Sequence, residues 1–446
     1  MKKIALTLSF LIALLMGAQS QNTLNQLKLD SLITTLDVNN RAMFTISIAE
    51  KGNVIYHRSV GYMDTSLSVK ANENTKYRIG SISKMFTSII IFQLIEAKKL
   101  TLDTKLSKFF PKVKNSSKIT IGDMLSHQSG IHNFTADSTF LVFSYLPRTH
   151  KEMLDLIYSM PTDFEPRTKQ EYSNSNFVLL GYIIEKLTKK TYADNVKERI
   201  TEKIGLRNTY YGTNANLDKN ESRSFYWRNE KWGLEKETDM SVPHAAGAMV
   251  STTNDLVKFA HALFSGKFIS QTSIDTMTRL RHEWGLGIFP MKFKNRTGFG
   301  HNGGIDEFGS QLKYFTDDSL SIAITCNGAH FSMNDCMKGA LSCYYNETYS
   351  IPTFVNYQVS EDILKQYLGT YSSNELKMDL VLTLDRNSLM LAATGQKTII
   401  LEASSDTTFD FKEAAAVFEF KKEETGVFNE VMLHQGGMNF PFFRKK

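Results

Sequence analysis

The stretch GSISKMFTSIIIFQLIEAK, residues 80–98, decides how the rest of the chain has to be arranged. After Gly80 its middle is apolar on nearly every side, with Met85, Phe86, Ile89, Ile90, Ile91, Phe92, Leu94 and Ile95 spread around a helical wheel. A helix apolar all round is a buried helix, so Ser81 to Lys98 must be wrapped by other elements. The same stretch sets a hydroxyl, Ser81, three residues before an amine, Lys84. On a helix that spacing puts both on one face with Cβ atoms roughly 5 to 6 Å apart, within reach of proton transfer. Serine is a poor nucleophile until a neighbouring base activates it, and lysine can be that base when burial and nearby cations lower its pKa. Unpaired amides at a helix start also favour the negative charge that develops during attack.

Working outward, the wrapping elements are readable on both sides. A short helical pattern (Leu24, Leu27, Leu29, Leu32, Ile33) precedes two strand-like runs, Met43 to Ala49 and Val54 to Val60, joined at Lys51, Gly52 and Asn53 as a β-hairpin. From about residue 100 to 290 the pattern is mostly helices and irregular loops, including Phe177 to Leu187 and Leu256 to Phe264. Strands return at Phe299 to Gly304, Gly309 to Phe315 and Leu320 to Thr325, and Ser332 to Tyr345 reads as a closing helix. Strands at both ends with helices between predict one α+β domain closed by its own termini, over residues 21–350. A second unit, residues 355–446, follows Ile351 and Pro352. There alternation takes over (Met378, Leu380, Leu382, Leu384, then Leu389, Leu391, Ala393), with further short runs from Phe409, Val417 and Val427. That predicts a small antiparallel sheet or barrel.

Composition excludes several classes. With 446 residues, 42% hydrophobic and 22% charged, the chain can bury a sizeable core and is neither disordered nor fibrous. Residues 1–20 resemble a signal peptide: Lys2 and Lys3, the thirteen-residue run Ile4 to Met16, then Ala18 and Ser20 in small-residue positions before a cut after Ser20. The run is shorter than the roughly 20 apolar residues a membrane span takes, so no stable span is expected after cleavage and the mature chain should be periplasmic or secreted. Without the two leader lysines the net charge of +6 falls to +4, too weak to argue for nucleic acid. Cys326, Cys336 and Cys343 are an odd set with no short metal-ligand spacing, favouring buried free thiols, with a bridge from Cys326 to another left open. The histidines show no metal-ligand pairing, so neither a metal nor a cofactor is expected.

Ser-x-x-Lys alone is weak, and it recurs at Ser310 and Lys313. That copy lies in a strand-like run, where alternation sends positions i and i+3 to opposite faces. Two further motifs lift the first copy above chance. Tyr172, Ser173, Asn174 supply a phenol and an amide, and Gly300, His301, Asn302, Gly303, Gly304 place a histidine on a glycine-rich strand. Tyr-x-Asn also recurs, at Tyr344 and Asn346 within the closing helix. Ser-x-x-Lys, Tyr-x-Asn and His-x-Gly, in that order across some 220 residues, resemble the serine beta-lactamase and penicillin-binding protein superfamily. The branch is that of class C beta-lactamases, D-alanyl-D-alanine carboxypeptidases, D-aminopeptidases and related esterases. MLSHQSGI at Met124 to Ile131, AAGAMVSTTNDLVKF at Ala245 to Phe259 and WGLGIF at Trp284 to Phe289 look like the same branch.

The resemblance covers about residues 25–345 and implies a beta-lactamase/transpeptidase-like fold, an antiparallel sheet flanked by helices plus a helical lobe, followed by the small all-β domain. It implies that Ser81 is the acylated nucleophile, that Lys84 takes its proton, and that Tyr172 relays protons as a phenol acidified by adjacent cations. Asn174 would hold substrate through its amide, and His301, Asn302, Gly303 and Gly304 would form the substrate-binding strand. The amides of Ser81 and Gly304 would make an oxyanion hole, worth roughly 3 to 4 kcal/mol per donor, and the missing side chain at Gly303 would let substrate approach. His127, in the MLSHQSGI loop, is read as structural. His301 stands where class C enzymes and most penicillin-binding proteins carry lysine, and a histidine is mostly neutral at pH 7; that points away from efficient beta-lactam hydrolysis, and a histidine in this slot resembles the carboxypeptidase, D-aminopeptidase and esterase members.

The expected function is therefore an exported serine hydrolase acting through an acyl-enzyme on esters, D-amino-acid peptides or beta-lactam-like amides. Its partner would be a small-molecule or peptide substrate. A cell-wall D,D-carboxypeptidase or D-aminopeptidase is the alternative within that class. A non-catalytic sensor of peptidoglycan fragments on the same scaffold is the alternative outside it. The sequence leaves the oligomeric state open.

Overall fold

Helix Ser83–Glu96 is the buried rod expected from its composition: eleven of its fourteen residues are buried, Lys84 among them. It is preceded by a 3-10 turn, Gly80–Ile82, so Ser81 sits on the turn that feeds the helix rather than on the helix itself. The chain is described by a computed structural model for residues 24–445, apart from 229, 355–356, 386–387, 397, 412–413, 415, 424–425 and 437. The leader expected at residues 1–20 lies outside the described residues.

A six-stranded antiparallel sheet forms the spine, in the spatial order Phe289–Phe293, Arg296–Ile305, Phe308–Phe315, Leu320–Ala329, Ala42–Glu50, Asn53–Val60. The pairing of Ala42–Glu50 with Leu320–Ala329 is the predicted closure of the domain by its own ends. Strand Ala42–Glu50 is buried along almost its whole length because both faces are covered. Phe44, Ile46 and Ile48 join the layer of helices Gln26–Val38 and Met333–Tyr344. On the other face Ser47 donates to Thr253 Oγ1 (2.7 Å) at the start of helix Thr253–Phe264. Helix Ser83–Glu96 shares its core with that helix and with the lobe helices His150–Ser159 and Asn174–Thr188. Cys326, Cys336 and Cys343 are buried free thiols.

Two devices press strand Arg296–Ile305 against the Ser81 turn. Gly80 adopts φ +47°, and a Cβ there would meet the Gly304 backbone at 2.9 Å, so only glycine permits the approach. Arg78, buried three residues before Ser81, pairs with Glu237 (2.8 Å) and with Asp306 (3.2 Å) just past the strand's end, and donates to the Thr238 carbonyl (2.7 Å). Arg78→Met leaves both carboxylates buried without their cation, and a loss of about 3–5 kcal/mol is expected. Urea denaturation of the variant checks it; a loss below about 1 kcal/mol would contradict the buttress.

The C-terminal unit is a closed barrel of eight antiparallel strands, from Gly369–Ser373 to Met438–Arg444, sealed where Tyr371 pairs with Arg444. Its interior is packed by aromatic rings, Tyr367 stacking on Phe420 at 4.1 Å with Phe409 and Phe428 around them. Side chains fill it, as in other small barrels. It touches the first domain through an Arg41–Glu402 ion pair and through Arg228 on Asp385 (3.3 Å). Among the described residues no helix is long and apolar enough to cross a membrane.

Candidate active site

Ser81, Lys84 and Tyr172 converge, although a large part of the chain separates the first two from the third. Lys84 Nζ lies 2.9 Å from Ser81 Oγ, and the Tyr172 hydroxyl donates to the same Oγ at 2.7 Å. The second Ser-x-x-Lys copy behaves as alternation demands. Ser310 is buried in strand Phe308–Phe315 and donates to the Ile79 carbonyl (2.8 Å), with no role in a second dyad.

Lys84 is fully buried and has two more partners, Asn174 Oδ1 at 2.8 Å and the Ala246 carbonyl at 2.7 Å. Carbonyl oxygens only accept, so two N–H bonds are committed to them. Burial pushes the Lys84 pKa well down, towards a neutral amine whose third direction is a lone pair facing Ser81 Oγ. In that state the Ser81 hydroxyl donates a hydrogen bond to Lys84 Nζ and accepts one from Tyr172. The arrangement is a nucleophile beside a base, assembled before any substrate arrives.

Tyr172 departs from expectation. Burial pushes its phenol well above the usual range, and adjacent cations do not offset this. His127 stacks on it at 4.4 Å, with Trp284 and Phe289 at 6.3 and 6.2 Å. Its neighbours are thus rings, and the ammonium over its face, Lys84 at 4.9 Å, is itself driven towards neutrality by burial. The phenol is therefore a proton donor at rest. His127 grips the backbone on either side of Tyr172: its carbonyl accepts from Glu171 N (2.9 Å) and its Nδ1 from Ser173 N (3.1 Å).

The third motif is only partly as expected. His301 is buried, its ring 4.4 Å from Phe289 and 6.4 Å from Tyr172. Its Nδ1 contacts the Asn302 carbonyl, which makes Nδ1 the protonated nitrogen. Nε2 is then a buried acceptor with no partner. Burial above all brings the His301 pKa down to about 3, so the ring is neutral. Asn302 is a correction: it is exposed, and the period-two ladder turns its side chain to the face opposite His301 and Gly303. Gly303 is another. Its missing side chain makes room not for substrate but for the turn itself, since a Cβ there would lie 2.1 Å from the Ile79 carbonyl and 2.9 Å from Ser81 N. Gly304 packs its peptide against Gly80, which brings the amides of Ser81 and Gly304 into one corner.

Asn174 is committed as well. While Oδ1 accepts from Lys84, its Nδ2 donates to Thr135 Oγ1 (3.0 Å) and Asn133 Oδ1 (3.3 Å). It holds the base in place and leaves no amide hydrogen spare for substrate. Asn133, Thr135 and Ala246 are the site residues that sequence reading missed. The AAGAMVSTTNDLVKF segment carried a signal for Ala246; the other two sit in a loop with none.

The family described as Beta-lactamase matches residues 29–341. Penicillin-binding protein 4* of Bacillus subtilis is 23% identical over 436 residues, covering 92% of this chain and 96% of that protein. Teichoic acid D-alanine hydrolase of Staphylococcus aureus is 23% identical over 292 residues, 64% of this chain and 70% of that protein. Among solved structures, a D-stereospecific amidohydrolase from Streptomyces overlays with a TM-score of 0.62 at 25% identity, covering 73% of this chain and 99% of its own. An octameric penicillin-binding protein homologue from Pyrococcus abyssi overlays with a TM-score of 0.66 at 22% identity, covering 93% and 99%. That last overlay extends well into the barrel.

Proposed function

We propose, from the premise that this chain belongs to the beta-lactamase family of serine hydrolases, that it hydrolyses amides or esters of D-amino acids through an acyl-enzyme at Ser81. The observation that carries this is the double engagement of Ser81 Oγ by Lys84 Nζ and the Tyr172 hydroxyl. Ser81 passes its proton to Lys84 and its oxygen attacks the substrate carbonyl carbon. The resulting oxyanion is held by the amides of Ser81 and Gly304. Tyr172 protonates the departing amine or alcohol and is reprotonated by the Lys84 ammonium, which returns the base to its neutral state. Water then enters in place of the leaving group and gives a proton to the same relay as its oxygen attacks the acyl carbon; the acyl–Oγ bond breaks, the relay returns that proton to Ser81 Oγ, and the acid leaves.

The substrate class rests on the neutral, buried His301 and on the names of the relatives. A neutral imidazole offers no fixed charge for a free substrate carboxylate, which disfavours a D,D-carboxypeptidase. The relatives' activities, hydrolysis of D-alanine from teichoic acid and D-stereospecific amide hydrolysis, share D-configured acyl groups. The assembled trio weighs against a non-catalytic sensor. The leader-like residues 1–20 support export, which N-terminal sequencing of the mature protein would test.

Rates on D-alanine amide, a D-alanyl ester, a D-alanyl-D-alanine peptide and a chromogenic cephalosporin test the reading. The amide and ester should lead; a peptide bearing a free carboxylate turning over fastest would replace it with the carboxypeptidase. The pH profile carries a second test. A base with a lowered pKa is active only when deprotonated, so kcat/KM should rise with pH through the Lys84 pKa and fall on its acid side. Lys84→Met should remove that limb and cost roughly 10²–10⁴-fold. An unaltered acid limb in the variant would move the base elsewhere.

A further inference from the structure

Behind the catalytic trio three residues distant in sequence face one another. His150 opens helix His150–Ser159, Glu185 lies near the end of helix Asn174–Thr188, and His244 begins the turn His244–Gly247. One ligand atom from each lies within 4.8 Å of the other two. His150 Nδ1 is 3.4 Å from Glu185 Oε2, and His244 Nε2 is 3.9 Å from Glu185 Oε1.

The tautomer of His244 follows from its neighbours. The Tyr211 hydroxyl donates to the Met240 carbonyl (3.0 Å), so towards His244 Nδ1, 3.1 Å away, its oxygen is the acceptor. Nδ1 carries the proton, and Nε2 presents a lone pair. That Nε2 has no hydrogen-bond partner, and His244 is only 4% exposed. Its lone pair thus looks at a carboxylate oxygen, a repulsive pairing that a cation between them would turn attractive. The carboxylate is oriented by Tyr192 N, which donates to Oε1 at 2.8 Å. A second buried group without a partner, the Tyr182 hydroxyl, belongs to the same cluster, its ring 5.0 Å from His244 and 4.2 Å from His150.

We propose that His150, Glu185 and His244 form a binding site for a divalent transition-metal ion of the zinc type. Two imidazoles and one carboxylate are a donor set for zinc rather than for calcium or magnesium. The Tyr211–His244 hydrogen bond is the outer contact that ligating histidines use to fix ring and tautomer. Bonds of about 2.1 Å at tetrahedral angles need ligand atoms about 3.4 Å apart, so the cluster closes by about an ångström on binding. His150, with its side chain 56% exposed, is free to supply that movement. The recess over the cluster, about 340 Å³, is also lined by Lys186 and Lys189, and the Lys186 ammonium is turned over Phe110 at 5.1 Å. Those lysines make a purely electrostatic ion a poor occupant, which again favours a metal bound through imidazole nitrogen.

The site would brace catalysis without taking part in it. Glu185 shares a helix with Asn174, and His244 lies two residues before Ala246, so the ion ties together the two segments that hold Lys84. Sequence spacing shows no ligand pairing because each ligand comes from a different segment.

The test is titration of chelator-treated full-length protein with Zn²⁺ by calorimetry and with Co²⁺ by visible absorption. The expected result is one equivalent bound, a tetrahedral Co²⁺ spectrum, and a rise in Tm on adding Zn²⁺. His150→Ala, at an exposed helix start, should keep the metal-free Tm while losing at least 100-fold in Zn²⁺ affinity; Glu185→Gln should lose it too. No stoichiometric binding by the parent protein, or parent-like Zn²⁺ affinity in both His150→Ala and Glu185→Gln, would overturn the site.

Discussion

Ser81→Ala is expected to lower kcat by roughly four to six orders of magnitude, the scale seen when a nucleophile that acts as part of a unit is removed, while leaving the fold intact. The side chain is only partly buried, and its loss leaves Lys84 still bonded to Asn174 Oδ1 and the Ala246 carbonyl. The stability cost should therefore be near that of one hydrogen bond, about 1 kcal/mol. Steady-state turnover on a D-alanyl ester, paired with thermal denaturation, checks both halves. Residual activity above a thousandth of the parent rate would mean that another group attacks.

Gly303→Ala should give the next largest loss with a change of a single methyl group. The added Cβ would meet the Ile79 carbonyl at 2.1 Å, Ser310 Oγ at 2.4 Å and Ser81 N at 2.9 Å. Two of those atoms are backbone and cannot rotate aside, so the strand must retreat from the turn by about an ångström. A shift of that size at a reacting centre costs about 10²-fold, and displacing an oxyanion donor costs about 10²–10³-fold. A fall in kcat/KM of roughly 10²–10³ is expected. Gly304→Ala is the control. Its Cβ would meet nothing nearer than the Phe308 carbonyl at 4.0 Å, so a loss within about tenfold is expected. Equal losses in the two variants would show that strand contact at Gly303 does not set the geometry.

Much of this arrangement is legible in the residues. The all-round apolar helix and the Ser81–Lys84 spacing depend on local periodicity, and three motifs in order narrow the superfamily before any coordinates. What local pattern cannot carry is burial by distant segments. The acidity assigned to Tyr172 failed because Trp284, Phe289 and His127 close over its ring. Asn302 was grouped with the site by motif, although alternation alone argues that its side chain turns away. Asn174 looked free for substrate until Asn133 and Thr135 filled its remaining valences. In the barrel, strands Gly369–Ser373, Ile399–Ala403 and Met438–Arg444 went unread. The first is short and polar, and the last contains Pro441, which ordinarily demotes a strand.

The chemistry reduces to one claim, that Ser81 Oγ becomes covalently acylated under the control of a buried, neutral Lys84. Intact-mass analysis with peptide mapping, on protein quenched early in reaction with a D-alanyl ester, addresses it directly. The expected result is a single added acyl group on the peptide containing Ser81, formed faster as pH rises and hydrolysed on standing. Full turnover with no adduct at any time or pH, or an acyl group mapped to a different residue, would contradict it.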